Sequence, residues 1–169
     1  MSGTASVGDA GGSRGEAHRP RLGLASLAVV GVASWVLASG VGKLTDAAAF
    51  HDALGAHGVL PGELVGAMTW TLPAIELATA SWAIWRVLTG RPVRAGALAL
   101  AGLFAALALY STIVAFNPPP SPTPCGCGLS RAPVESWWPI VLRNAAVLGA
   151  LLIASRRGRA SLSGAALTA

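Results

Sequence analysis

The two cysteines of this 169-residue sequence are separated by a single residue, in the stretch Pro124-Cys125-Gly126-Cys127-Gly128. A CxC pair can close a very small disulfide ring, because the neighbouring glycines allow backbone conformations that a residue with a Cβ resists. Such a ring is strained, and strained or exposed disulfides are the ones that exchange. Cys125 and Cys127 are therefore the predicted catalytic pair of a redox centre, with metal binding or chemically inert thiols as the alternatives.

One carboxylate, Glu76, lies midway along an apolar stretch from Leu64 to Trp85. An ionisable group inside a membrane costs about 2.5 kcal/mol or more unless it is paired or faces a cavity. Lys43 and Arg143 are the two basic residues expected within reach, so we predict a supporting polar core of Lys43, Glu76, Arg143 and Asn144. Glu76 could also handle protons or contact a quinone head group. Arg143 could instead extend to the interface, or lower the pKa of a cysteine.

Two histidines, His51 and His57, lie six residues apart in a polar stretch from Val41 to Glu63. The simpler interpretation is that both are solvated loop residues. The alternative is that they bind a soft metal ion such as Cu(I) or Zn together with the two thiolates. The sequence has no phosphate-binding loop, HExxH motif or nucleophile elbow.

The composition indicates a membrane protein. Hydrophobic residues make up 53% and charged residues 11%, against about 25% charged residues in soluble domains. Four apolar runs are each long enough for a membrane-crossing helix, at about 22–40, 64–85, 95–116 and 137–154. The predicted fold is an all-α membrane protein with a four-transmembrane-helix bundle over 22–155, between a disordered tail (1–21) and a second tail (156–169). A short surface helix is expected from Thr45 to Leu54. The alternative for the first run is a cleaved signal peptide.

The positions of the basic residues predict the orientation of the bundle. The net charge is +5, but the charges flank apolar runs, so we expect no nucleic-acid partner. In the four-span arrangement most basic residues fall on one side: Arg14, Arg19, Arg21, Arg86, Arg91, Arg94, Arg156, Arg157 and Arg159. The positive-inside rule then places both termini in the cytoplasm and the histidine and cysteine loops outside it. There the compartment is oxidising and disulfides persist.

These residues give the sequence a resemblance to the MauE family, within the broader DoxX-like group of small four-span, redox-associated membrane proteins. The matching motifs follow one another in order over about Leu22 to Ser155: Gly42-Lys43-Leu44, then Phe50, Leu72-Pro73-Ala74-Ile75-Glu76-Leu77, Cys125-Gly126-Cys127-Gly128 and Leu142-Arg143-Asn144. The family pattern is CxCFG, and this sequence departs from it in having Gly128 where the aromatic residue stands.

The resemblance implies a role in the maturation of disulfide-containing exported proteins. In methylamine metabolism this means processing of the methylamine dehydrogenase light chain beside a thioredoxin-like partner. On this basis the chain would be a thiol-disulfide oxidoreductase of the cell membrane, with a membrane quinone as a candidate electron acceptor. The alternatives are a non-enzymatic membrane assembly factor, in which the CxC only staples its loop, and a metal-binding carrier.

Overall fold

The computed structural model describes residues 23–125, 133–134 and 136–165. These residues form five helices and one pair of short strands. In chain order the elements are α1 (Leu24–Thr45), α2 (Ala47–Ala56), α3 (Gly62–Leu88), α4 (Val93–Phe116), β1 (Thr123–Pro124), β2 (Pro133–Val134) and α5 (Trp138–Ala165). The predicted disordered tail (1–21) and Cys127, one of the two predicted catalytic residues, lie outside the described residues.

Three of the described helices are long and apolar enough to cross a membrane: α1, α4 and the Trp138–Arg156 part of α5. The predicted all-helical class is therefore confirmed, with three candidate spans. Helix α3 has 27 residues and is long enough to span, at 1.5 Å per residue. Its threonines, Pro73 and Glu76 make it less apolar than the three candidate spans.

The apolar side chains of the bundle face both inward and outward. Helix α3 packs against α1 and α4, and α5 packs against α4 and α1. A core of Val29, Ala33, Ala80, Leu100 and Phe104 with their neighbours joins these four helices. Many large apolar side chains are exposed on the outside, among them Trp70, Ile75, Leu109 and Leu142. An apolar outer surface is what lipid requires, so the chain is a multi-pass membrane protein.

The helices extend further than the apolar runs predict. Helix α1 continues past the predicted end at residue 40 to Thr45, and α5 continues past residue 154 to Ala165. The extension of α1 contains Lys43, which is buried within the bundle. A buried partner for that charge makes the extra turn favourable where hydropathy alone predicts a loop.

The predicted short helix after α1 is present as α2. The side chain of Asp46 caps it by accepting a hydrogen bond from the backbone N–H of Ala49, at 3.2 Å. Its apolar residues Phe50 and Leu54 pack against Val65 at the start of α3. Helix α2 therefore covers one end of the bundle and carries His57 at its C-terminal end.

Candidate functional site

The buried carboxylate Glu76 is paired with Lys43, which was one of its two predicted partners. Lys43 Nζ donates a hydrogen bond to Glu76 Oε1. The side chains are only 4% and 2% exposed. Lys43 also lies over the ring of Phe50, with Nζ 5.4 Å from the ring centroid. Because a paired ion costs far less to bury than an isolated one, this pair can exist inside the bundle.

A close approach of α1 and α3 makes this pairing possible. A Cβ at Gly40 would lie 3.1 Å from the Leu77 side chain and 3.4 Å from the Pro73 carbonyl oxygen. Gly40 lies one helical turn before Lys43, and Leu77 follows Glu76. The missing side chain therefore lets the two helix backbones come together beside the ion pair.

The second oxygen of Glu76 is in a different situation. Among the described residues, Glu76 Oε2 is buried and has no hydrogen-bond partner. An unsatisfied buried acceptor costs about 1–3 kcal/mol. The carboxylate thus keeps one oxygen available to a further hydrogen-bond donor.

The predicted pair Arg143 and Asn144 turns toward the interior of the bundle. The Arg143 guanidinium lies 4.9 Å from the ring centroid of Trp35, and its Nη2 donates to Asn144 Oδ1 at 3.2 Å. Asn144 Nδ2 in turn donates to Ser111 Oγ at 3.3 Å. This chain of contacts links α5 to α1 and α4, and Arg143 does not extend away to the interface.

His57 is buried and hydrogen-bonded through both ring nitrogens, so its interpretation as a solvated residue is wrong. It is 3% exposed. Nε2 lies 3.1 Å from the carbonyl oxygen of Pro124, which can only accept, so Nε2 carries a proton. In the neutral ring Nδ1 then accepts from the Tyr110 hydroxyl, at 2.8 Å. The Trp137 ring meets the imidazole edge-on, with centroids 4.7 Å apart.

Burial lowers the pKa of His57 below its ordinary value of 6.5, and the hydrogen bond to Pro124 opposes that effect. The neutral ring is the form that suits this environment, because burial penalises the charged form. Since Pro124 precedes Cys125, His57 ties the end of α2 and Tyr110 of α4 directly to the backbone beside the cysteine.

The predicted catalytic residue Cys125 follows β1, at the base of a short hairpin. Thr123 pairs with Val134 and Pro124 with Pro133 in an antiparallel register. Cys125 is disulfide-bonded. The other predicted catalytic residue, Cys127, lies outside the described residues.

A cavity of about 80 Å³ brings most of the predicted residues together. Residues from all five helices line this cavity, and its wall includes aromatic rings as well as polar groups. The predicted residues that line it are Lys43, His57, Glu76, Cys125, Arg143 and Asn144. Cys125, the ion pair and the buried histidine therefore line one partly enclosed cavity.

His51 is separate from this group. Its Nδ1 bonds to Thr69 Oγ1 at 3.1 Å, and the residue is exposed. Within the part of the chain that the structure describes, no three histidine, cysteine or acidic residues are grouped so as to hold a metal ion. His57 could bind a metal only by giving up one of its two hydrogen bonds.

Two residues of the site were not anticipated from the sequence, Tyr110 and Ser111. Tyr110 is the only tyrosine of the chain and falls within an otherwise apolar span. A tyrosine in that position needs a hydrogen-bond partner for its hydroxyl when it is buried. This requirement was the available signal that α4 contributes a polar contact.

Comparison with known protein families gives one match. A family model described as methylamine utilisation protein MauE matches residues 21–156, a range that contains every site residue named above. No curated protein and no solved structure gives a significant match. The match extends from the start of α1 into α5 and covers most of the chain, and on this evidence the chain belongs to the MauE family.

Proposed function

We propose that this protein is an integral membrane thiol-disulfide redox protein that supports disulfide formation in exported proteins. Cys125 and Cys127 would be the exchanging pair. The observation that carries the proposal is the cavity: a disulfide-bonded cysteine shares it with Lys43, Glu76 and Arg143. A structural disulfide needs no buried charges beside it, whereas an exchanging one benefits from cations that stabilise a thiolate.

The proposed topology has four membrane spans, with α3 as the additional one. Helix α3 is packed between α1 and α4, and its length suits a bilayer. The turn between α3 and α4 carries Arg86, Arg91 and Arg94, which by the positive-inside rule favours the cytoplasmic side. With four spans, both termini are cytoplasmic, and α2 and the cysteine hairpin are outside.

The proposed chemistry is an exchange with a thioredoxin-like exported or membrane-tethered protein. A thiolate of the reduced partner attacks one sulfur of the CxC disulfide, and the other sulfur leaves as a thiolate. The second thiol of the partner then loses its proton and attacks the mixed disulfide. This releases the oxidised partner and leaves the CxC pair reduced by two electrons. A membrane quinone, which accepts two electrons and two protons, is the proposed acceptor that restores the disulfide.

The family's description, methylamine utilisation protein, gives this proposal a specific form. The exported protein would be a disulfide-containing subunit of a methylamine-oxidising enzyme. The missing aromatic residue after Cys127, where Gly128 stands, would alter the surface that meets the partner.

Trapping of a mixed disulfide tests the proposal. Cys127→Ser and Cys125→Ser variants should each retain a partner through the remaining cysteine, as a complex that is seen on a non-reducing gel and lost on reduction. The double Cys→Ser variant is the matched control and should retain none. The absence of any complex, together with cysteines that are fully alkylated without prior reduction, would contradict the proposal.

A second double variant, with alanine at both cysteine positions, separates the redox function from an assembly role. If the CxC pair exchanges electrons, a Cys125→Ala, Cys127→Ala double variant should stop the maturation of the exported disulfide protein while the membrane protein itself still accumulates. Unimpaired maturation in that strain would instead favour a non-enzymatic assembly factor.

A further inference from the structure

Glu76 and Cys125 line the same cavity, and within the described part of the chain Glu76 Oε2 is buried without a hydrogen-bond partner. Its other oxygen is engaged by Lys43. A buried carboxylate with one satisfied and one unsatisfied oxygen can still bind a hydrogen-bond donor or accept a proton. Its position, 2% exposed, restricts that exchange to whatever occupies the cavity.

The cavity is large enough to hold water molecules. A volume of about 80 Å³ is several times the roughly 10–15 Å³ that a cavity needs to hold one water molecule. Polar partners for water are available on several sides, since Ser39, Lys43, Glu76 and Asn144 all line the cavity. Water can therefore connect Glu76 Oε2 with the region of Cys125.

Charge balance decides what reduction of the disulfide does to this cavity. Reduction that leaves one sulfur as a thiolate would place a new negative charge in a space that already holds a carboxylate. In a medium of low dielectric constant, two like charges in one cavity are costly, and one of them is expected to take up a proton. Among the described residues, Lys43 and Arg143 are the two cations at this cavity. Arg143 is held by the Trp35 ring and by Asn144, so we expect one of the two anions to be neutralised by a proton.

The titratable and charged groups that face this space come from every surrounding element. They are Lys43 of α1, His57 after α2, Glu76 of α3, Tyr110 of α4, Arg143 of α5 and Cys125 after β1. Where these cations hold the sulfur as a thiolate, the Glu76 carboxylate is the group that loses its charge by accepting a proton.

We infer that Glu76 is the proton acceptor coupled to reduction of the Cys125 disulfide, with Lys43 transferring its charge compensation from the carboxylate to the Cys125 thiolate. The inference rests on the proposed redox function of the cysteines. The step is balanced: the disulfide, the Glu76 carboxylate and a dithiol give the Cys127 thiol, the Cys125 thiolate, the protonated Glu76 and the oxidised dithiol. The two protons of the dithiol go to Cys127 and Glu76, and its two electrons go to the former disulfide. Net charge is unchanged.

The test is the number of protons taken up per disulfide reduced, measured from the pH dependence of the reduction potential. The full-length protein is equilibrated in lipid nanodiscs with dithiothreitol redox buffers around neutral pH. We expect two protons for the natural protein and one for Glu76→Gln, because glutamine keeps the size and an acceptor for Lys43 but takes up no proton. Glu63→Gln is the matched control: it removes an exposed carboxylate in the first turn of the same helix and should leave the value at two.

Infrared difference spectra provide a second readout that does not depend on the stability of a variant. Reduction should produce the C=O stretching band of a protonated carboxyl group in the natural protein and in Glu63→Gln, and no such band in Glu76→Gln. Two protons in Glu76→Gln, one proton in the natural protein, or no carboxyl band on reduction would each overturn the inference. Because dithiothreitol replaces the protein partner, these results are independent of whether the trapping experiment finds a partner.

Discussion

Replacing the buried ion pair by apolar side chains one at a time, and then together, gives the sharpest test of its structural role. The variants are Lys43→Met, Glu76→Met and the double variant. Each single change leaves one buried charge without its partner, in side chains that are 4% and 2% exposed in the natural protein. The double change removes both charges and fills the space with side chains of similar length.

The structure sets the size and the order of the expected effects. Leaving one member of a buried pair unpaired costs about 3–5 kcal/mol. In Glu76→Met, Lys43 keeps its contact with the ring of Phe50, and a cation–π contact contributes about 0.5–2 kcal/mol. In Lys43→Met, both oxygens of Glu76 lose or lack a described donor. We therefore expect Lys43→Met to be the more destabilising single change, by about 1 kcal/mol.

The double variant should be close to the natural protein in stability. Substituting apolar residues for a whole buried pair is often neutral or stabilising. The sum of the two single-variant changes in unfolding free energy should therefore exceed the change in the double variant by several kcal/mol. For independent sites the sum and the double-variant value agree within about 0.5 kcal/mol.

The measurement is the free energy of unfolding of the full chain in mixed micelles, titrated with a denaturing detergent and followed by circular dichroism. Glu63→Met, at an exposed position of the first turn of α3, is the control and should change stability by no more than about 1 kcal/mol. Additive effects in the double variant, or single effects below about 1 kcal/mol, would refute the reasoning.

Two further predictions concern helix packing and pH. Gly96→Ala should destabilise the bundle by about 1–3 kcal/mol, because its Cβ would lie 3.3 Å from the Cα of Ala83. A Cβ at Gly102 in the same helix meets nothing within 4 Å, so Gly102→Ala should be neutral or stabilising. The same unfolding titration compares the two variants. Since the pKa of His57 is lowered in the folded protein, the unfolded chain binds more protons once the pH falls below about 6.5, and stability should decrease in acid by at most about 1.4 kcal/mol per pH unit. Unfolding titrations from pH 7.5 to 5 should show this decrease, and an identical pH dependence in His57→Gln would contradict it.

The sequence predicts the spans and the polar core because both depend on simple physical costs. Uncharged runs such as 95–116 are apolar enough to identify α4 almost to the residue, at Val93–Phe116. A buried Glu76 requires a nearby cation, and only two basic residues were expected within reach. Which of the two residues pairs with Glu76 could not be predicted, because the pairing depends on the rotation of α1 against α3 and on the close approach of these helices at Gly40.

The role of His57 could not be predicted for a related reason. Its neighbours in the sequence are polar or small, which favours a solvated loop, but its hydrogen-bond partners Tyr110 and Pro124 are far away along the chain. Contacts between distant segments are set by how the helices pack. Local composition therefore predicts that His57 lies outside the long helices, but not that its side chain is buried.

The arrangement also explains why a membrane bundle would retain costly polar groups. An ion pair with an unsatisfied oxygen is a poor way to hold helices together, since apolar residues would do so at lower cost. The same pair is useful if a negative charge appears and disappears in the cavity that it lines with Cys125, because Lys43 then offers a positive charge and Glu76 can take up the proton. His57 fixes the backbone next to Cys125 through Pro124, so the sulfur stays at the wall of the cavity where this compensation is available. In this interpretation the buried pair is retained because it compensates the charge that appears when the disulfide is reduced.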